Sequence, residues 1–361
     1  MLNALASNRL NLLIAAAPIS WALARWTPGS PWIFVVAAVS LIPLAGVIGL
    51  ATEQLARRSG PALGGLLNAT FGNAAELIIA IVALQDGHVG VVKASITGSI
   101  VGNLLLVLGA SFFLGGLGRR SQKFNRTAAT NATAMLFLAV VALVMPAVFD
   151  LAIYGNLSAR PSAIERLSLL SAIVMIGAYA GGLLYAFMSQ RDLFRSTHDG
   201  DHEPAPLTTP EAVALLAIGT VLTTVQAEIL VGQMQPALAR FGLSELFVGV
   251  IVIAVIGNAA EHYSAITAAR RDEMTLAVEI AIGSSAQIAL FVGPAIVLYS
   301  FVIGRPMTLL FNAFEIAAIT LSVIATALVV VDGESNWVEG MQLMAVYLIL
   351  GIAMYFVPLG G

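Results

Sequence analysis

Five residues occur twice in this chain, as Gly72-Asn73-Ala74-Ala75-Glu76 and Gly257-Asn258-Ala259-Ala260-Glu261, 185 positions apart. Each copy lies near the middle of an apolar stretch long enough to cross a bilayer. A carboxylate at that depth costs about 3 kcal/mol or more unless it is paired, protonated or facing water, which makes both glutamates candidates for function. Within each copy Asn and Glu are three apart, on one face of a helix. The glycine removes a side chain and lets another backbone approach. One such Glu could be no more than a protonated interhelical hydrogen bond. Two in identical settings argue for an oxygen-rich ion site.

Further oxygens come from the stretches after each copy. Residues 98–109 read GSIVGNLLLVLG and residues 282–293 read IGSSAQIALFVG, placing Asn103 opposite Gln287. Ser99 and Asn103 are four apart, Ser284 and Gln287 three apart, and Ser285 lies beside Ser284, so each group can share a helical face. Taken singly, each also suits an ordinary interhelical hydrogen bond. The expected metal ligands are therefore Glu76, Glu261, Asn73, Asn258, Ser99, Asn103, Ser284, Ser285 and Gln287. With no cysteine in the chain, no thiolate site exists. An all-oxygen set of two carboxylates with amides, hydroxyls and water suits calcium, which takes about 6–8 oxygens in flexible geometry, better than magnesium, which keeps a strict octahedron. Close carboxylates in a low dielectric favour binding protons, whereas a divalent cation favours their ionised form. Calcium and protons should compete, and a site that reorients only when loaded with one or the other would exchange them.

The elements that must carry these residues follow from composition. Apolar residues make up 59% of 361 and charged residues 10%, against about 25% charged in a soluble domain. That predicts an all-α polytopic membrane protein. The net charge of −3 gives no reason to expect a nucleic-acid partner. Spans of about 20 apolar residues are expected near 10–27, 32–55, 64–85, 91–117, 127–149, 165–188, 209–233, 245–269, 275–302, 308–331 and 337–358, about 11 transmembrane helices. The first lacks a small-residue cleavage site and a strongly basic start, and is expected to be a retained span.

Lys and Arg set the orientation. Eleven collect on the N-terminal side (Arg9, Arg57, Arg58, Arg119, Arg120, Lys123, Arg126, Arg191, Arg195, Arg270, Arg271) and six on the other, accounting for all 17. A cytoplasmic N-terminus is expected. A polar stretch at 189–208, containing His198, Asp199, Asp201, His202 and Glu203, divides the chain; it reads as a solvated linker or as a cation or pH sensor. The expected organisation is residues 1–31 with a leading helix, a five-helix repeat over 32–188, the cytoplasmic loop 189–208 and a second five-helix repeat over 209–361. Residues 51–55 (ATEQL) and 226–230 (QAEIL) add a third pairing between the halves, placing Glu53 opposite Glu228. An odd number of spans per unit inverts the second repeat, and inverted repeats with a midplane site recur among transporters. Glu53 and Glu228 could relay protons, line a vestibule or simply be boundary residues. His262, which faces about 100° away from Glu261 on a helix, suits either packing or a proton-linked role. Glu279 and Glu315 fall in apolar stretches with no partner evident from spacing. Asp86, His88, Asp332, Glu334 and Glu339 occupy loops or span edges, where solvated charge is the default.

On GNAAE at 72–76, GNAAEH at 257–262, GSIVGNLLLVLG and IGSSAQIALFV, the sequence resembles the cation/proton exchanger (CAX) family of the cation/calcium exchanger superfamily, over almost the whole chain. The resemblance implies calcium binding at Glu76 and Glu261, help from polar residues of the following spans, and proton antiport across an organellar or bacterial membrane; for this chain a bacterial plasma membrane is expected. Gly102 departs from the serine expected in a family-like GSILSN run. The implied partners are calcium and protons as transported ions and the lipid bilayer, with self-association left open. A sodium/calcium exchanger shares the layout, but its usual signature carries hydroxyl residues and a proline before the Glu, where this chain has Asn and Ala. A channel fits less well, because the chain already supplies its own repeated pair. Nothing points to an enzyme, and no G-x-x-x-x-G-K-[ST] phosphate cradle is present.

Overall fold

The computed structural model describes residues 9–155, 161–189 and 207–357. The polar segment with His198 and His202 lies outside them. Apolar periodicity gives way to helix almost throughout, with local sequence setting many ends. After a 3₁₀ segment, Arg9–Ala15, come α1 (Ala16–Trp26), α2 (Pro31–Arg58), α3 (Gly60–Phe71) and α4 (Ala74–Gln85). α5 (Val89–Val101) passes through a π-helical stretch, Gly102–Val107, into α6 (Leu108–Gly116). α7 (Arg126–Tyr154) and α8 (Pro161–Ser189) follow, then α9 (Thr209–Gly232) and α10 (Met234–Phe241). α11 (Glu245–Phe247), a π-helical stretch Val248–Ile253 and α12 (Ala254–Gly257) lead to α13 (Ala259–Arg270). α14 (Met274–Gln287), a π-helical turn Ile288–Val292 and α15 (Gly293–Val302) precede α16 (Ala313–Val329) and α17 (Trp337–Tyr355). Seven of these helical stretches are long and apolar enough to cross a membrane, or eight if the bent pair Met234–Phe241 and Glu245–Gly257 counts as one span. The chain is a multi-pass helical membrane protein.

Several expected spans change shape. Those at 64–85 and 245–269 are each interrupted at the pentapeptide, into α3 and α4 and into α11–α12 and α13. The span expected from 308 begins at Ala313, because Asn312 and Glu315 form a reciprocal capping box, each side chain accepting from the other's backbone N–H at 2.9 Å. Glu315, without a role from spacing, is thus a cap. Glu339 does the same for α17 with Asn336. The amphipathic α10 had no counterpart among the expected spans; it fills the connection after α9 and stops at Gly242, whose φ of +66° suits a helix C-terminus.

Two compact units divide the chain: Met1–Ser95 with Thr197–Ala260 and Val357–Gly361, and Ile96–Ser196 with Glu261–Phe356. In the first, contacts between Ser40 and Gln226, Ile48 and Gly219, and Arg58 and Leu207 step up one helix as they step down the other, so α2 and α9 pack antiparallel. Val47, Ala51 and Leu55 meet Leu207, Ala212 and Leu215 along this seam. A Cβ at Gly219 would lie 3.1 Å from Ile48, so the glycine sets how closely the helices approach. In the second unit α6 crosses α17 where a Cβ on Gly340 would strike the Phe113 backbone, again a small-residue contact. Two short strands close this unit's loops, β1 (Gln122–Lys123) antiparallel to β2 (Glu334–Ser335). In the most apolar 18-residue windows of Val89–Gly116 and Met274–Val302, 83% and 72% of the residues are buried, against 39% for α7 and 22% for α17, so the helices bearing Ser99, Asn103, Ser284, Ser285 and Gln287 are among the more buried.

Candidate ion-binding site

Each pentapeptide sits at a helix break. In the first, the Gly72 N–H closes the last turn of α3 on the Asn68 carbonyl at 2.9 Å, and the Asn73 carbonyl opens α4 by accepting from the Leu77 N–H at 3.0 Å. Asn73 itself, at φ −102° and ψ 23°, leaves the helical region. A Cβ at position 72 would collide with the Asn68 carbonyl, so the break needs glycine there. The second break repeats this at Asn258, with φ −94° and ψ 15°. The Ala254 carbonyl accepts from both the backbone N–H of Asn258, at 3.1 Å, and its side-chain Nδ2, at 2.9 Å. The helix resumes one residue later in both cases, which puts Glu76 and Glu261 in the first turns of α4 and α13. Unpaired amides at such a terminus favour negative charge. Discontinuous helices of this kind mark ion sites in transporters.

The first unit brings parts of the two pentapeptides together. The Glu76 side chain lies on Gly257: a Cβ there would meet Glu76 Cγ at 3.3 Å and Oε1 at 3.6 Å. Both Glu76 oxygens are buried, as are Asn73 and Asn258. The second unit contains Glu261 and gathers the polar residues of the following spans. Asn103 Nδ2 donates to Ser284 Oγ at 3.0 Å, and Ser285 Oγ reaches the Ile100 carbonyl at 3.4 Å and the Ala281 carbonyl at 2.9 Å. Ser99, Asn103, Ser284 and Ser285 are buried, and Gln287 is half-buried. Asn103 is the second residue of one π-helical stretch and Gln287 immediately precedes another, so the residues matched by sequence both lie at backbone irregularities, a feature frequent at functional sites.

Glu53 is bound to Arg57 at 2.6 Å, an exposed pair one helical turn apart. Glu228 is exposed and His262 half-buried. Two buried groups were not singled out by spacing. Gln226 Oε1 accepts from Ser20 Oγ at 2.7 Å and Ser40 Oγ at 3.0 Å, while its Nε2 donates to the Ala17 carbonyl at 3.3 Å, tying α1, α2 and α9. Its partners lie 186 to 209 residues away, beyond any local signal. Asp150 falls just past the expected span end at 149, but α7 runs to Tyr154 and buries it completely. A clue was present: Asp150 continues the Leu143, Pro146, Ala147 stripe at helical spacing.

The fold and these breaks define a multi-pass membrane protein of the exchanger type. Residues 29–188 and 211–356 match the family described as sodium/calcium exchanger protein, and the chain belongs to it, among its cation/proton exchangers. It is 40% identical over 364 residues to a Ca(2+)/H(+) antiporter of Synechocystis, covering 96% of this chain and 97% of that one. It is also 40% identical over 356 residues to the Ca(2+)/H(+) antiporter ChaA of Bacillus subtilis, covering 96% and 99%. Among solved structures, native YfkE superposes with a TM-score of 0.83 at 38% identity, covering 97% of this chain and all of that one.

Proposed function

We propose that this protein exchanges calcium for protons by alternating access, with Glu76 and Glu261 together binding either calcium or protons. The observation that carries the reading is the repeated pentapeptide at two equivalent helix breaks, each with its carboxylate on the first resumed turn. Asn73, Asn258 and the Ser99, Asn103, Ser284, Ser285, Gln287 group supply the remaining oxygens, and no step needs a resident cofactor. The relatives named as calcium/proton antiporters support the same ions. In this reading eleven spans are arranged as a leading helix and two inverted five-helix repeats, with one pentapeptide in each repeat. The basic-residue asymmetry supports a cytoplasmic N-terminus, and the bacterial relatives fit a plasma-membrane location.

A sodium-driven exchange is the second reading, favoured by the family description. The pentapeptides weigh against it, since Asn and Ala stand where dedicated sodium sites would use hydroxyls. Proteoliposomes separate the two: calcium uptake should follow an imposed pH gradient, and uptake driven by sodium alone would overturn proton exchange. Single cysteines in this cysteine-free chain test the topology. One at Ser121 should be labelled from the cytoplasmic side and one at Gly304 from the other; labelling of both from one face would refute the inverted arrangement.

A further inference from the structure

The carboxyl group of Asp150 is fully buried, and neither of its oxygens has a hydrogen-bond partner among the described residues. α7 carries it on its inner face and packs within its unit against α8, α14, the Ile288–Val292 turn and α16. The ionisable residues on those elements are Glu165, Arg166, Tyr179 and Tyr185 on α8, Glu279 on α14 and Glu315 on α16; the turn has none. None of them bonds to Asp150, and Glu315 caps α16 through Asn312. An ionised carboxylate without a partner is costly at such a place. An acid adds nothing to packing that a leucine would not add better; what it alone offers is the capacity to take and release a proton. Asp150 lies one turn before the end of α7, about 6 Å along the axis, so a small rearrangement would admit water. Two elements packed on α7, namely α14 and the turn that follows it, carry or adjoin Ser284, Ser285 and Gln287.

We propose that Asp150 is a second proton-exchanging residue of the transport cycle, closed off in the arrangement described here and reached by water when α14 and its π-helical turn move. The proton leaves the carboxyl oxygen for water at the adjacent end of α7 and returns by the same route. This rests on calcium/proton exchange as the function.

The test counts protons released per calcium bound by the purified full-length protein, and records infrared difference spectra between calcium-loaded and calcium-free protein labelled with ¹³C-aspartate. Asp150 is the buried one among the described aspartates, Asp86, Asp150, Asp272 and Asp332, and a protonated aspartate band is assigned to it by its loss in Asp150→Asn or Asp150→Glu. Asp150→Asn should release about one proton fewer per calcium and show a shallower pH dependence of calcium affinity, with affinity at alkaline pH retained. In the wild type the labelled acid band should respond to calcium. An unchanged proton count in Asp150→Asn, with an aspartate band indifferent to calcium, would overturn the proposal while leaving exchange intact. A wild type that releases no protons on calcium loading would remove the exchange reading and this one with it.

Discussion

The turns bearing Glu76 and Glu261 share five residues and a helix break, yet the helices that continue from them differ. α4 is apolar after its glutamate and buries Ala74, Ala75, Ile79, Ala80, Val82, Ala83 and Leu84. α13 runs on through His262, Tyr263, Ser264 and Thr267 and buries only Ala265, Ala268 and Ala269, with Tyr263 55% exposed. Packing demands on the two helices are therefore unlike, and cannot be what keeps the pentapeptides alike. What the two share is a glycine that tolerates a backbone break, an asparagine at the break and a carboxylate one turn on. The same local arrangement thus recurs in two packing environments, as the proposed ion site requires.

The most severe test of this equivalence is charge removal. Glu76→Gln and Glu261→Gln keep side-chain volume but lose the negative charge, and each should lower calcium flux by about 100-fold or more while the protein stays folded. Near-normal flux in either variant would confine the site to one half. The pH dependence comes next. Bound calcium favours the ionised carboxylates, so loading must release protons, and calcium affinity must fall as pH falls, by up to about tenfold per pH unit for each proton released. Calorimetry in buffers of different ionisation enthalpy would count them; an affinity flat across neutral pH would break the competition.

The glycines sharpen the comparison at the level of the backbone. Gly72→Ala forces a methyl group into the Asn68 carbonyl and should destabilise the break by about 2 kcal/mol, read as a lowered melting temperature in detergent. Gly257→Ala meets only the flexible Glu76 side chain at 3.3 Å, which can yield by a few tenths of an ångström. It should leave stability nearly unchanged and weaken apparent calcium affinity by less than about tenfold. Reversal of that order would mean that the Glu76–Gly257 contact is not the one that matters. Smaller still is Ser284→Ala, which removes one hydrogen-bond acceptor of Asn103 and should cost about 1 kcal/mol, roughly fivefold in affinity.

Much of this was legible in the chain itself. Composition and apolar run length are sums over local sequence, so membrane insertion and the approximate positions of most helices needed no tertiary information. The exact repetition of Gly-Asn-Ala-Ala-Glu, and the offset that pairs Asn103 with Gln287, identified the polar set before any coordinate was known. Helix starts at Ala313 and Trp337 were also written locally, in Asn-x-x-Glu; apolar content alone placed the second at 337 but set the first five residues too early.

Other features depended on which surfaces meet. Sequence left open whether the helices unwind near Gly72 and Gly257; in the folded chain both break at the asparagine that follows, and Glu76 lies on Gly257. Gln226 reads as one more amide in an apolar span until Ser20, Ser40 and the Ala17 carbonyl are brought around it from residues about two hundred positions away. Asp150 falls outside the expected span because the apolar run stops beside it, whereas α7 continues to Tyr154 and buries it. Hydrophobicity and local capping are encoded residue by residue, so the chain alone determined the membrane class, the approximate positions of most helices and which polar residues are candidates for the site. The partner of a buried polar group is chosen by distant surfaces, and that choice belonged to the tertiary structure.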